Sequence, residues 1–210
     1  MAIVINGSGT VTGISVGGLP DGIVDAGTLA TNSVDSAELI DGSIDTAHLA
    51  SGVGGKILQV VQTSKTDTTS LTDTYSFTDI TGMSVSITPS ATSSKILILS
   101  TLNIASGAAS HGANARLVRD STAIFVGDAA SNRVQATFST IVADNNFAYP
   151  QTINYLDSPS TTSATTYKIQ WNITYDPGTP IIYLNRSVTD SDATSNSRIP
   201  SSIIAMEVAG

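Results

Sequence analysis

Aliphatic residues recur at every fifth position over the first fifty residues of the chain. Residues 21–50 read in tens as DGIVDAGTLA, TNSVDSAELI and DGSIDTAHLA, each with an aliphatic residue, an Asp, a small residue and then a Leu. A five-residue spacing matches neither the helical period of 3.6 nor the strand period of 2, so it indicates a repeat architecture. The members of this aliphatic ladder are Ile14, Leu19, Val24, Leu29, Val34, Leu39, Ile44 and Leu49.

The repeat unit is too short to form a coil of its own. Ten residues span at most about 33 Å when fully extended, which is too little for three faces with corners. Several identical chains wound about a common axis could bury the ladder instead, and three chains would fill a narrow axis most economically. Asp25, Asp35 and Asp45 stand where an N-cap would open a single helical turn. We therefore predict an intertwined trimeric stalk of short strands and single helical turns; the alternative is a flexible Gly-, Asp-, Ser- and Thr-rich linker.

From Lys56 onward the pattern changes to alternation with period two. In TYKIQWNITY the residues Tyr167, Ile169, Trp171, Ile173 and Tyr175 share one face, as in a half-buried antiparallel strand. About ten such strands separated by turns predict an all-β fold, a β-sandwich or jelly roll. The other predicted strands are KILQVVQTS, YSFTDI, GMSVSITP, KILILSTLNI, ARLVRD, TAIFVG, RVQATFSTIV, QTINYL, PIIYLNR and SSIIAMEV.

Composition places a domain boundary near Gly52–Gly55. Residues 1–55 contain six acidic residues but no Lys, Arg, Phe, Tyr or Trp, so they carry most of the net charge of −8. We expect residues 1–55 to form an attachment segment and repeat stalk, and residues 56–210 to form a sandwich domain at its end.

Charge and composition exclude several classes of partner. A net charge of −8 argues against nucleic acid, which is bound through basic surfaces. The chain has no Cys, so it has neither disulfides nor thiolate metal ligands. The opening MAIVINGSG lacks the features of a secretory signal, and no apolar run is long enough to span a bilayer. We expect no membrane insertion.

Catalytic motifs are not apparent in the sequence. His48 lies in a variable position of the repeat, and His111 lies in the loop SGAASHGAN. No nucleophile elbow accompanies either histidine, and the acidic residues beyond residue 55 are scattered through turns. We therefore expect no enzymatic activity, no cofactor and no metal.

Recognition is expected from loops carried on the β scaffold. ADNNFAYP offers Asn145, Asn146, Phe147 and Tyr149, and two further loops offer His111 with Asn114 and Tyr175. Trp171 is predicted to lie in the core rather than to stack on a sugar, because it falls on the apolar face of a strand. A glycan or a surface protein of a host would suit these loops, and the sequence does not choose between them.

The ten-residue repeats look like those in fibre proteins of tailed bacteriophages. The remainder of the chain resembles structural proteins of marine phages that infect cyanobacteria, through the phrases INGSGTVTGISVGGLPDG, SITPSATSSKILI, RLVRDSTAIFVGDA, LDSPSTTSATTYKIQW, YLNRS and SSIIAMEVAG. The resemblance implies a homotrimeric fibre or spike in the virion, assembled in the host cytoplasm and attached to other virion proteins through its N-terminal segment. It implies no catalytic residues.

Three functional hypotheses follow. The first is a tail fibre or spike component that contributes to host-surface recognition. The second is a purely structural head, neck or tail decoration or adaptor fibre without receptor binding. The third, a depolymerase of host surface sugars, has the least support, because no pair of carboxylates stands out in the sequence.

Overall fold

The computed structural model describes Ile44 and residues 55–107, 112–142, 144–174 and 178–210. The chain divides between Gly54 and Gly55, and the compact unit described below is Gly55–Gly210, here called the β domain. Seven of the eight ladder residues lie outside the described part of the chain. The eighth, Ile44, exposes 45% of its surface in a single chain. The stalk therefore stays a prediction.

The β domain consists of strands joined by turns and loops. No helix in the described part of the chain is long and apolar enough to cross a membrane. The strands are β1 Ile57–Lys65, β2 Thr69–Thr72, β3 Thr78–Ile87, β4 Lys95–Ser106, β5 Gly112–Arg119, β6 Thr122–Ile124, β7 Phe138–Ile141, β8 Tyr149–Asp157, β9 Thr165–Ile173, β10 Ile181–Leu184 and β11 Ser201–Val208.

The first sheet is built around β4. Strands β11 and β10 lie end to end along one side of β4, and β8 pairs with its other side. Strand β1 pairs with β11, and β2 pairs with β10, so these two also lie end to end and form one edge of the sheet. All pairings are antiparallel.

The second sheet has the order β3–β9–β5, with β6 and β7 end to end along the far side of β5. When each end-to-end pair is counted once, the described part of the domain has eight strands. Their order is first, eighth, third, sixth in one sheet and second, seventh, fourth, fifth in the other. Consecutive strands mostly alternate between the sheets, so the two sheets cannot form independently of each other.

The core lies between the sheets and is formed by alternate residues of both. Tyr167, Ile169, Trp171 and Ile173 are all buried, which confirms the predicted apolar face of β9 and the core position of Trp171. From the first sheet, β4 contributes a matching run of Ile and Leu side chains. The predicted all-β sandwich is confirmed. Tyr175 lies outside the described residues.

Three strand assignments differ from the sequence prediction. Thr69–Thr72 forms β2, although its four residues carry one large apolar side chain; pairing with β10 determines its structure. The separate segments YSFTDI and GMSVSITP contribute to one strand, β3. Its pairing with β9 shifts register between Asp79 and Ser84, where Gly82 has φ 83°, and the strand continues through this irregularity. The long segment RVQATFSTIV contributes only Phe138–Ile141, which pair with β5.

Candidate functional site

The loop between β7 and β8, together with the first residue of β8, carries four of the residues predicted for recognition. The loop connects the second sheet to the first, and its exposed tip presents Asn145, Asn146 and Phe147, while Tyr149 begins β8 and is also exposed. Phe147 and Tyr149 expose 53% and 44% of their surfaces, which is unusual for large aromatic side chains. The structure thus places these four residues together at the surface of the β domain.

Asp144 organises this loop. One of its carboxylate oxygens, Oδ1, accepts hydrogen bonds from the backbone N–H groups of Asn146 (2.8 Å) and Phe147 (3.2 Å). Its other oxygen accepts one from the Tyr149 hydroxyl at 3.1 Å. An Asp that bonds backbone groups two and three residues ahead forms an Asx turn. A single side chain therefore determines both the backbone bend and the direction of Tyr149.

The same contacts set the protonation states in the loop. The Asn146 N–H and the other two hydrogen bonds hold the pKa of Asp144 below its usual range. The bond to the Asp144 carboxylate raises the pKa of Tyr149. At neutral pH the loop thus presents an ionised carboxylate and a protonated phenol, so that the phenol acts as the donor.

Neighbouring elements anchor the base of the loop. The Ser106 N–H donates to the Val142 carbonyl at 3.2 Å, and the Val142 N–H donates to the Ser106 hydroxyl at 2.9 Å. On the other side, the Thr189 N–H donates to the Asn145 carbonyl at 2.8 Å. The loop is held in place before any ligand arrives, which reduces the entropy cost of binding.

A shallow hollow of about 320 Å³ lies beside this loop. Its lining combines the apolar side chain of Ile141, of which 57% is exposed, with polar groups and the Tyr149 ring. An aromatic or apolar platform surrounded by amides and a carboxylate can stack on a ring and bond hydroxyl groups. The residues that line the hollow are Thr140, Ile141, Val142, Asp144, Tyr149 and Gln151.

Asn114 differs from the other residues proposed for recognition. Its side chain is buried and donates to the Asn172 side-chain oxygen at 3.0 Å, while Asn172 donates to the Tyr75 carbonyl. The amide thus serves the packing of β5 against β9, and we remove Asn114 from the contact set. His111 and Tyr175 lie outside the described residues.

Asp144 and Ile141 shape the site, and neither was singled out in the sequence analysis. Asp144 was grouped with ordinary turn acids, because an Asx turn bonds the backbone ahead of the Asp whatever side chains stand there, so the sequence carried only a general turn signal. Ile141 was assigned to a strand interior, but β7 is short and ends at this residue, which leaves its side chain at the surface. The exposure of Ile141 follows only from the pairing of β7 with β5, which the sequence pattern does not show.

A second hollow, of about 460 Å³, lies on the segment between β10 and β11. Asp190 accepts from Arg198 at 2.7 Å and forms an ion pair with Arg186 at 3.1 Å, which braces the segment. Its lining side chains bond mainly to one another. No group of three His, Asp or Glu side chains that could hold a metal occurs among the described residues.

The chain shows similarity to solved structures at low sequence identity. No protein-family model matches it, and no curated protein matches its sequence. Among solved structures, infectious bursal disease virus of the Gt strain is 12% identical with a TM-score of 0.40, covering 72% of this chain and 38% of the other. The VP2 subviral particle of the same virus is 13% identical with a TM-score of 0.35, at 72% and 38% coverage. The chain spans less than two fifths of those chains, and TM-scores this low carry no argument about function.

Proposed function

We propose that this chain is a structural protein of a tailed-bacteriophage particle, a homotrimeric fibre or spike that contributes to recognition of the host surface. The support begins with the sequence, in which phage-fibre repeats precede phrases that resemble structural proteins of marine phages. The strand order of the β domain adds to it, because eight antiparallel strands in this order form a jelly roll. That fold occurs in viral structural proteins and in lectins.

The observation that carries the recognition role is the loop organised by Asp144. Two exposed aromatic rings and two amides stand on a backbone that is hydrogen-bonded at its base and at its tip. Rigid aromatic side chains provide contact area at low entropy cost, and Asn side chains adapt their hydrogen bonds to the ligand. A glycan or a protein loop on the host envelope is the class of ligand that suits this surface.

The proposal includes no catalytic activity and no cofactor. It includes attachment to other virion proteins through residues 1–55. Sustained release of sugars from host envelopes by the purified protein would contradict the non-catalytic role.

The location of the protein and its binding to hosts test the proposal together. Antibody labelling of particles under the electron microscope is expected to mark the tail or its fibres. Purified trimer is expected to bind host cells, and the double variant Phe147→Ala/Tyr149→Ala to bind at least about tenfold more weakly, a loss of about 1.4 kcal/mol. Val134→Ala is the matched control, because Val134 exposes 55% of its surface in another loop.

The second candidate function is a decoration or adaptor fibre without receptor binding. Label on the head or neck of the particle, together with equal cell binding by the parent protein and the double variant, would favour it. Absence of the protein from purified particles would contradict both functions.

A further inference from the structure

The two outward faces of the sandwich differ sharply in chemistry. On the second sheet, Asp79 accepts from Lys168 at 2.8 Å and from Gln170 at 2.7 Å, and Arg116 donates to Gln170 at 2.9 Å. Arg116 also lies over the Phe77 ring, 4.1 Å from its centroid. These polar side chains bond to one another across three strands. This face has the character of a sheet surface in contact with water.

The outward face of the first sheet carries a continuous apolar surface. Its four strands place Val60, Met206, Leu97 and Leu156 directly beside one another in a single row. In the next row Ile204 lies beside Leu99, with Gln62 and Asn154 at the two edges. We call these six side chains the apolar face. At its two edges Val60 and Leu156 expose 54% and 46% of their surfaces.

Such a row is not what an antiparallel sheet normally presents to solvent. One face of the sheet packs on the core and the other is expected to be polar, as on the second sheet of this domain. A contiguous exposed apolar surface marks an interaction site in a soluble protein. The first sheet already buries its inward side chains in the core, and among the described residues none of the six side chains of the apolar face packs against that core.

We infer that the apolar face packs against the β domain of a second copy of this chain within the trimer. The inference rests on the trimeric architecture proposed above and assigns to it a second contact, separate from the stalk. Charge is the first reason. Lys95 is the one charged side chain that the four strands direct to this side, and it lies beside Val208, outside the six residues of the apolar face, so two copies can meet there without burying a charge.

Charge also disfavours the other occupant that the chain could supply. Residues 1–54 carry six acidic side chains and neither Lys nor Arg. Laying that segment on the apolar face would bring carboxylates next to Leu and Met side chains, where an unpaired charge is costly. A second β domain brings an apolar surface instead.

Connectivity is the second reason. Gly55, where the β domain begins, precedes the first residue of β1 by two positions, and β1 carries Val60 at the edge of the apolar face. Three chains joined through their stalks would hold their β1 strands near one another at high effective concentration. A weak apolar contact between domains would then be well populated.

Introduced thiols can test this in the full-length protein, because the chain has no Cys. The variants are Val60→Cys, Leu156→Cys and the pair of both, with Val134→Cys as a control of matched exposure. Within one chain, positions 60 and 156 are three strand spacings apart, about 14 Å. A disulfide needs Cα atoms within about 7 Å, so oxidation of the pair can only join different copies.

The expected result has two parts. Maleimide labels the thiol at position 60 or 156 about tenfold more slowly than the thiol at position 134, corresponding to about 1.4 kcal/mol of opening free energy. The paired variant, or a single variant treated with a bifunctional maleimide, yields covalent dimers and trimers on a denaturing gel, whereas Val134→Cys does not. Urea midpoints measured in parallel identify any variant whose fold has changed.

Other outcomes overturn the inference in distinguishable ways. In the first outcome the protein is a trimer by light scattering, but the thiols at positions 60 and 156 react as fast as the thiol at position 134. The apolar face is then open to solvent and the inference is wrong, while the proposed trimeric fibre is not contradicted. Protected thiols without any cross-link between copies show that the chain covers its own face. A monomer contradicts the trimeric architecture itself.

Discussion

At the scale of single residues, Asp157 joins the two sheets through the interior of the sandwich. It ends β8 in the first sheet, is 4% exposed, and accepts two hydrogen bonds from Arg119 on β5, at 3.0 and 2.9 Å. The Tyr167 hydroxyl on β9 donates to it at 2.7 Å. Burial and the bond to this carboxylate raise the pKa of Tyr167 well above its usual value. Three hydrogen bonds from the second sheet thus reach this buried carboxylate.

Replacing Asp157 is expected to be strongly destabilising. Asp157→Ala leaves the Arg119 guanidinium and the Tyr167 hydroxyl without their partner, at a cost of about 3 kcal/mol. Tyr167→Phe removes one donor only and is expected to cost about 1 kcal/mol. Urea denaturation measures both, with the exposed Asp128→Ala as the control. Equal stability of Asp157→Ala and the parent would show that the packing of the sheets does not depend on this contact.

Glu207 is a second buried carboxylate, on β11. Its oxygens accept bonds from the Ser90 N–H and hydroxyl, both at 2.6 Å, and from the Gln59 side chain. Burial alone would raise the pKa of Glu207, but these bonds and one from Ser94 outweigh it and hold the pKa at about 2. The carboxylate fastens the turn before β4 to β11 and, through Gln59, to β1 of the first sheet.

Because folding lowers the pKa of Glu207, the unfolding free energy of the domain depends on pH in the acidic range. The folded value of about 2 lies below the ordinary value of 4.5, so the contribution of Glu207 is complete above about pH 4.5 and is lost as the pH falls towards 2. In Glu207→Gln that part of the pH dependence is expected to vanish. Unfolding free energies of both proteins between pH 7 and pH 2.5 are the measurement. A constant difference between the two curves would contradict this account.

At the scale of elements, one buried amide holds two interrupted strands together. Asn185 follows β10, is fully buried and has φ 66°, and its side-chain nitrogen donates to the carbonyls of Lys65 (2.8 Å) and Asp67 (2.9 Å). Its side-chain oxygen accepts from the Ser201 hydroxyl at the start of β11. The breaks between β1 and β2 and between β10 and β11 therefore meet at a single residue.

Asn185→Ala is expected to loosen this junction. It removes three hydrogen bonds from buried groups and places an alanine in the left-handed region, at a combined cost of about 4 kcal/mol. The exposed Asn132→Ala is the control and is expected to change stability by less than about 0.5 kcal/mol. Urea denaturation and hydrogen exchange at β2 and β10 report the effect. A change as small as that of the control would mean that the two composite strands are held by backbone pairing alone.

At the scale of the whole molecule, the ladder is the feature that calls for several copies. Leu39→Asp is expected to weaken the trimer, because one layer would then bury three charges about the axis. Ser33→Asp adds the same charge outside the ladder and is expected to leave assembly unchanged. Light scattering over a range of concentrations measures the trimer fraction. Identical behaviour of the two variants would favour the flexible-linker interpretation.

Sequence patterns predicted the strands that carry their own signal. The alternation through Trp171 placed a buried face without any knowledge of the partner strand, because period two follows from the pleat itself. Thr69–Thr72 has no such alternation of apolar residues, and it forms a strand because its backbone pairs with β10. In the loop between β7 and β8 the exposed residues were predictable from composition, whereas the burial of Asn114 depended on the pairing of β5 with β9.

The sequence by itself determined the all-β class, the core position of Trp171 and the loop Asn145–Tyr149, since each follows from local periodicity or turn chemistry. Tertiary structure alone decided which strands lie end to end, which acids are buried and that one outward sheet face is apolar. The residues of the apolar face are far apart in the sequence, on β1, β4, β8 and β11, and only the register of those strands brings them into rows. A pattern read along one strand cannot reveal what stands beside it across the sheet.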